Sequence, residues 1–182
     1  MFAALTVFLE GAKAALMAAS DFQDGWYKEP PEKGLRAMAR VYAGWCVSQS
    51  FYLQELDKTA LGFPSLEEFL VGFWESLFLP ADANNLLAMI ATWQAGDISD
   101  NPLYHGDCTK ALGAIKAQAL VMPCRTDLYF PPQDNEIEVA CMPKATLKII
   151  ESVWGHFAGG PGLSYLDGAA IDGALKKFIS AP

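Results

Sequence analysis

Basic side chains are scarce in this sequence, no two cysteines stand in a Cys-x-x-Cys pair, only two histidines occur, and no apolar run reaches membrane-spanning length without a charge. Each shortage removes a class of function. With 13 basic against 21 acidic side chains the net charge is -8, which repels phosphate backbones and anionic membrane surfaces. Lys176-Lys177 and Arg36 with Arg40 come nearest to a basic patch, and both read as ordinary decoration of helical faces. Neither nucleic acid nor membrane is expected as a partner. Cys46, Cys108, Cys124 and Cys141 lie in or beside apolar runs, as small buried hydrophobes of a reduced compartment do, so neither disulfides nor zinc are expected. The first nineteen residues are apolar, but Glu10 and Lys13 interrupt them and no basic stretch follows Met1. A soluble, cytoplasmic chain is the expectation.

What is present is apolar and patterned. At 182 residues and 52% hydrophobic, the chain can bury a sizeable core as one domain or a piece of one. Its first hundred residues read as helical. Residues 2–19 are rich in Ala and Leu, which lose little rotamer freedom in a helix. Between Pro31 and Leu56 large apolar residues recur at three- and four-residue steps, predicting one amphipathic helix of several turns. Ser65-Leu-Glu-Glu68 has the form of a capping box before the run Phe69–Leu79, and Pro80 ends that run. Asp82 reads as the next N-cap, and Gly96 as a stop in left-handed conformation.

Beyond Asn101-Pro102 the texture changes. Residues 118–122 and 145–151 read as short buried strands, residues 132–142 and 167–179 as helices. Strand, helix, strand, helix in this order implies parallel pairing through a right-handed crossover, with both strands ending on one edge. Functional groups of open parallel sheets gather beyond that edge. The loop after the first strand carries Asp127, and the loop after the second carries His156, 29 residues further on. Such a pair has a definite use: a carboxylate on one imidazole nitrogen fixes the tautomer, leaving the other nitrogen to take a proton from a hydroxyl or thiol. The plainer alternative is a loop Asp that only caps a helix, beside a structural histidine.

The residues around the pair carry a resemblance. Ala117-Gln-Ala-Leu-Val-Met-Pro-Cys-Arg-Thr-Asp127-Leu-Tyr-Phe-Pro-Pro132 is similar to the strand and acid loop of the homoserine O-acetyltransferase-like branch of the α/β-hydrolase superfamily. Trp154-Gly-His156-Phe-Ala resembles that branch's base loop, and Asp82-Ala-Asn-Asn-Leu-Leu87 the segment closing its helical lid. The resemblance implies an α/β fold class, as a helix-rich partial α/β-hydrolase fold. In it residues 1–105 are a lid or cap region, and residues 106–182 are the C-terminal part of the core. It makes Asp127 the triad acid and His156 the base, acting on a small-molecule acyl ester or acyl-CoA with no metal and no cofactor.

The sequence also departs from the family pattern. No serine stands in Gly-x-Ser-x-Gly; the nearest imitation, Gly44-Trp-Cys46-Val-Ser48, lacks the second glycine and lies in a helical run. Pro80-Ala81 replace the Arg-Phe usual before the lid motif, and Gly159-Gly-Pro-Gly162 differs as well. His105-Gly-Asp107-Cys108 holds metal-ligand residue types but no partner cluster, so it reads as a turn. Trp26, Tyr27, Tyr42, Trp45, Phe51, Tyr52, Phe69, Phe73, Trp74 and Phe78 could line an acyl tunnel, although core packing is the commoner use of aromatics at helical spacing. Two readings follow. The first is the C-terminal portion of an acyltransferase or esterase, inactive alone for want of a nucleophile. The second is a helical interaction module that associates with itself through an open strand edge and uncovered apolar surface.

Overall fold

The computed structural model describes residues 3–160 and 163–180, with the side chains of residues 3–5 undescribed. Phe2 in the first expected helix, and Pro161-Gly162 in the glycine-rich tail, fall outside these residues. The chain forms two compact units, Met1–Gly96 and Asp97–Pro182.

The first unit is all helix. Helix α1 (Ala3–Met17) packs along α2 (Glu32–Cys46), burying Phe8, Leu9, Ala12 and Leu16 against Leu35, Met38 and Ala39. Gly34 permits this approach: a Cβ there would stand 2.8 Å from Leu16 Cδ1 and 2.9 Å from the Leu16 carbonyl oxygen. Two effects oppose in Gly34→Ala. Helix propensity favours alanine by about 1 kcal/mol, but a clash with backbone cannot be relieved by a rotamer change and costs about 1–3 kcal/mol. Net destabilisation of about 1 kcal/mol is expected in urea denaturation, whereas Gly44→Ala, with open space around its Cβ, should stabilise.

The single helix expected from Pro31 to Leu56 is broken into three pieces. Val47 is extended (φ -107°, ψ 156°), and the Ser48 hydroxyl accepts from the Phe51 amide at 3.0 Å to start α3 (Gln49–Leu53). Glu55 then takes a left-handed conformation before α4 (Leu56–Thr59). Local capping by Ser48 outcompetes helix continuation while the apolar rhythm runs on, so periodicity alone missed the break. The capping box at α5 (Leu66–Phe69) forms by half. Ser65 Oγ accepts from Glu68 N–H at 3.2 Å, while the Glu68 carboxylate takes the Ser65 hydroxyl at 2.9 Å in place of a backbone amide.

Beyond α5 the backbone widens into a π-helical stretch, Leu70–Glu75, before α6 (Ser76–Phe78). The Ser76 hydroxyl reaches back five residues to the Val71 carbonyl at 2.9 Å, supporting the wider turn. This stretch points Trp74 and Glu75 inward, both almost wholly buried. Arg36 and Arg40 of α2 clasp Glu75, Arg40 through Nε at 2.6 Å and Arg36 through Nη1. These arginines are therefore partners of an interior carboxylate, a correction to their reading as surface decoration.

Aromatic packing fills the rest of this unit. Phe69 stands at its centre, with ring centroids of Phe63, Phe73 and Phe51 at 5.2, 5.4 and 5.9 Å. Trp26 is 86% exposed, so it belongs to no core. Asp82 caps α7 (Ala83–Ala95) by accepting from Asn85 N–H at 2.8 Å, and accepts the Tyr27 hydroxyl at 2.7 Å. Asn84 completes the clamp through the Gly25 carbonyl at 3.0 Å. Gly96 ends α7 as expected, but with φ -66° and extended backbone; the left-handed conformation expected there is absent.

The second unit is built on one parallel pair. Asp107 caps α8 (Cys108–Gly113), a helix the sequence reading passed over, and the preceding His105-Gly106 turn has both residues at positive φ. Strand β1 (Ala119–Val121) pairs in parallel with β2 (Ala145–Leu147), Ala119 opposite Ala145, with α9 (Pro132–Cys141) crossing between them. Strand β2 is shorter than expected; its pairing resumes as a bridge between Cys124 and Ile150. Helix α10 (Tyr165–Ile179) follows, capped by Ser164. No helix among the described residues is long and apolar enough to cross a membrane.

Candidate active site

The acid loop grows out of the end of the strand pair. Arg125 N–H donates to the Ile150 carbonyl at 2.9 Å, and the chain then turns, Asp127 N–H closing on the Cys124 carbonyl at 3.2 Å. Asp127 is 8% exposed and its two oxygens are used differently. Oδ1 accepts from the backbone amides of Tyr129 and Phe130 at 2.8 and 3.1 Å, folding the loop around the carboxylate before Pro131-Pro132 start α9. Oδ2 lies 3.0 Å from His156 Nδ1. Asp127 thus folds its own loop with one oxygen and meets the imidazole with the other; it caps no helix, since Pro131 stands at the N-cap of α9.

The base loop is set by hydroxyls. Ser152 Oγ donates to the buried Asp167 carboxylate at 2.7 Å and accepts from Trp154 N–H at 3.1 Å. Gly155, at φ +61°, turns the backbone through the left-handed region, which a side chain would strain, and begins the short 3-10 turn Gly155–Gly159 that carries His156. Thr126 joins the two loops: its hydroxyl donates to the Ser152 carbonyl at 2.9 Å and accepts from Gly155 N–H at 3.2 Å. Arg125 and Glu151 add an exposed two-pronged pair at 2.6 and 3.1 Å, which solvent screens to a minor contribution.

The imidazole is held on its flanks as well. The Tyr129 ring stands edge-on to it at 4.9 Å and the Phe130 ring tilts against it at 5.7 Å. With Nδ1 on Asp127, Nε2 has no hydrogen-bond partner among the described residues. His156 borders an open cleft of about 490 Å³ that Met122, Pro123, Phe130 and Phe157 line together with Asp127. A carboxylate-oriented imidazole with one free nitrogen beside a mainly apolar cleft is an arrangement for moving a proton to or from a bound group. Thr126, Ser152 and Asp167 were not singled out from the sequence, where hydroxyl residues in loops carry no signal of which carbonyl they will meet.

The other residues weighed from the sequence lie elsewhere. Cys46 is buried at the end of α2 in the first unit, with no strand before it among the described residues. His105 and Asp107 belong to the turn before α8, and no group of three or more metal-ligating side chains is present among the described residues. A second cleft, about 770 Å³, lies between α2 and α7 within the first unit, lined by Met38, Leu86, Met89, Ile90 and Trp93; Tyr42 is the member of the expected aromatic set that borders it.

The chain belongs to the α/β-hydrolase superfamily, and its helices and two parallel strands are of that fold. Within it, the relatives are esterases and homoserine O-acetyltransferases. An ethyl acetate hydrolase of Pseudomonas veronii is 35% identical over 97% of this chain and 50% of its own length. A probable esterase of Corynebacterium glutamicum is 35% identical over 82% of this chain and 43% of its own. The solved acetyl esterase MekB superposes with a TM-score of 0.90 at 33% identity, over 97% of this chain and 50% of that one. Homoserine O-acetyltransferases match at 24% to 28% identity. No family model matches the chain. The chain spans about half the length of the curated relatives it matches, and corresponds to their C-terminal part.

Proposed function

We propose that this chain supplies the acid and base of an ester-cleaving site, Asp127 and His156, and that the nucleophile comes from residues outside these 182. The observation that carries the reading is the 3.0 Å contact between Asp127 Oδ2 and His156 Nδ1 with Nε2 left open. In the complete site a hydroxyl nucleophile attacks the acyl carbonyl while Nε2 takes its proton. The imidazolium, stabilised by Asp127, returns that proton to the departing alcohol, and a water activated by the same nitrogen then releases the acid. The higher identity to esterases than to homoserine O-acetyltransferases favours water over homoserine as acceptor. The reading includes the first unit as a lid and a soluble cytoplasmic setting.

The test uses the chain alone and joined to the N-terminal half of the Pseudomonas veronii hydrolase. A fluorophosphonate probe should leave the chain alone unlabelled. The chimera should take one label and hydrolyse an acetyl ester. Stoichiometric labelling of the chain alone, or a folded and labelled chimera whose turnover is indifferent to His156, would sink the reading.

A further inference from the structure

Between Ser152 and Gly155 the base loop bends at Val153-Trp154, and no bond joins the Ser152 carbonyl to Gly155 N–H. Here the Thr126 hydroxyl stands between them, donating to the Ser152 carbonyl at 2.9 Å and accepting from Gly155 N–H at 3.2 Å. A side chain from the acid loop thus bridges the two ends of the bend. Its neighbours on either side are the pair themselves: Asp127 follows Thr126, and His156 follows Gly155.

We propose that Thr126 is the positioning residue that sets His156 Nδ1 onto Asp127, an inference resting on the proposed role of that pair. The hydroxyl fixes the separation of the two loops at the point from which both side chains depart. Threonine suits this, because its branched Cβ restricts χ1 and aims the hydroxyl at little entropic cost. Other ties between the loops do less. The Arg125–Glu151 pair is exposed to solvent, and Cys124 Sγ, at 3.4 Å from the Ser152 carbonyl, touches one end of the turn only. Without the hydroxyl the Ser152 carbonyl can close directly on Gly155 N–H, which draws the turn together and carries the imidazole away from Asp127.

The experiment reads the imidazole itself and needs no turnover. Its ¹⁵N resonances, recorded where the ring is neutral, report which nitrogen holds the proton, and His105→Asn separates the two histidines. The intact chain should show His156 as the Nδ1–H tautomer. Thr126→Val should move it to a mixture containing the Nε2–H form, and Thr126→Ser should restore Nδ1–H. The Gly155 amide of the intact chain should exchange with solvent on the order of tenfold more slowly than an open loop amide. A folded Thr126→Val that keeps the Nδ1–H tautomer, or an unprotected Gly155 amide, overturns the positioning role and leaves the catalytic reading standing. An intact chain in the Nε2–H form removes the pairing and both readings with it. Should Thr126→Val not fold, Thr126→Ser and the Gly155 exchange rate decide.

Discussion

In the chimera, His156→Ala should lower kcat for an acetyl ester by about 10⁴-fold or more, with KM little changed. The side chain meets Asp127 on one nitrogen and open cleft on the other, and no second imidazole borders that cleft. Among the described residues His156 is the one side chain of that cleft held by a carboxylate on one side, as a proton relay needs. Asp127→Asn should cost a comparable factor by another route. An amide can offer its N–H₂ to Nδ1, which favours the tautomer with its proton on Nε2, where it cannot accept from the nucleophile. The two losses should combine to far less than their product, because the pair acts as one unit. Steady-state kinetics of the two single variants and the double variant check this, and independent, multiplicative losses would break the pairing argument.

The second large effect concerns stability and lies in the first unit. Burial pushes the Glu75 carboxyl up, but Arg36 and Arg40 outweigh it and hold the group below the usual carboxylate range. A depressed folded-state value contributes stability that is full above the unfolded value near 4.5 and is lost as pH falls through the folded one. Glu75→Gln should therefore destabilise at neutral pH by about 2 kcal/mol, less than the roughly 3–5 of a fully buried pair, since both arginines keep about 40% of their side-chain surface in water. Urea denaturation should show the gap between wild type and variant narrowing as the solution is acidified below the carboxylate range. A gap independent of pH would mean that packing, and not charge, holds Glu75.

How much of this was legible depended on the range of the interaction involved. The caps at Asp82 and Ser65, the stop at Pro80 and Pro132 in the first turn of α9 act within a few residues, and each stands where the sequence placed it. The parallel pairing of β1 and β2 followed from element order alone. What escaped was of two kinds. Ser48 and the π-helical stretch turn on a single hydroxyl competing with the helix, which leaves the apolar rhythm intact. Glu75 with its arginines, and Thr126 with Ser152 and Gly155, join residues 26 to 39 positions apart, and nothing local in either partner points to the other. Asp127 and His156 stand equally far apart, yet could be paired from the sequence because the strand ends that carry them are fixed by topology.

The crossover between β1 and β2 also bears on how the pair comes to exist. Ala119 and Ala145 meet in register across a single connection, so closing that loop costs about 3 kcal/mol of chain entropy, roughly 2 kcal/mol less than a loop spanning the whole chain. The same closure brings the acid loop against the base loop. The geometry of the pair therefore depends on the pairing of β1 with β2, so that losing the strand pair parts the acid from the base.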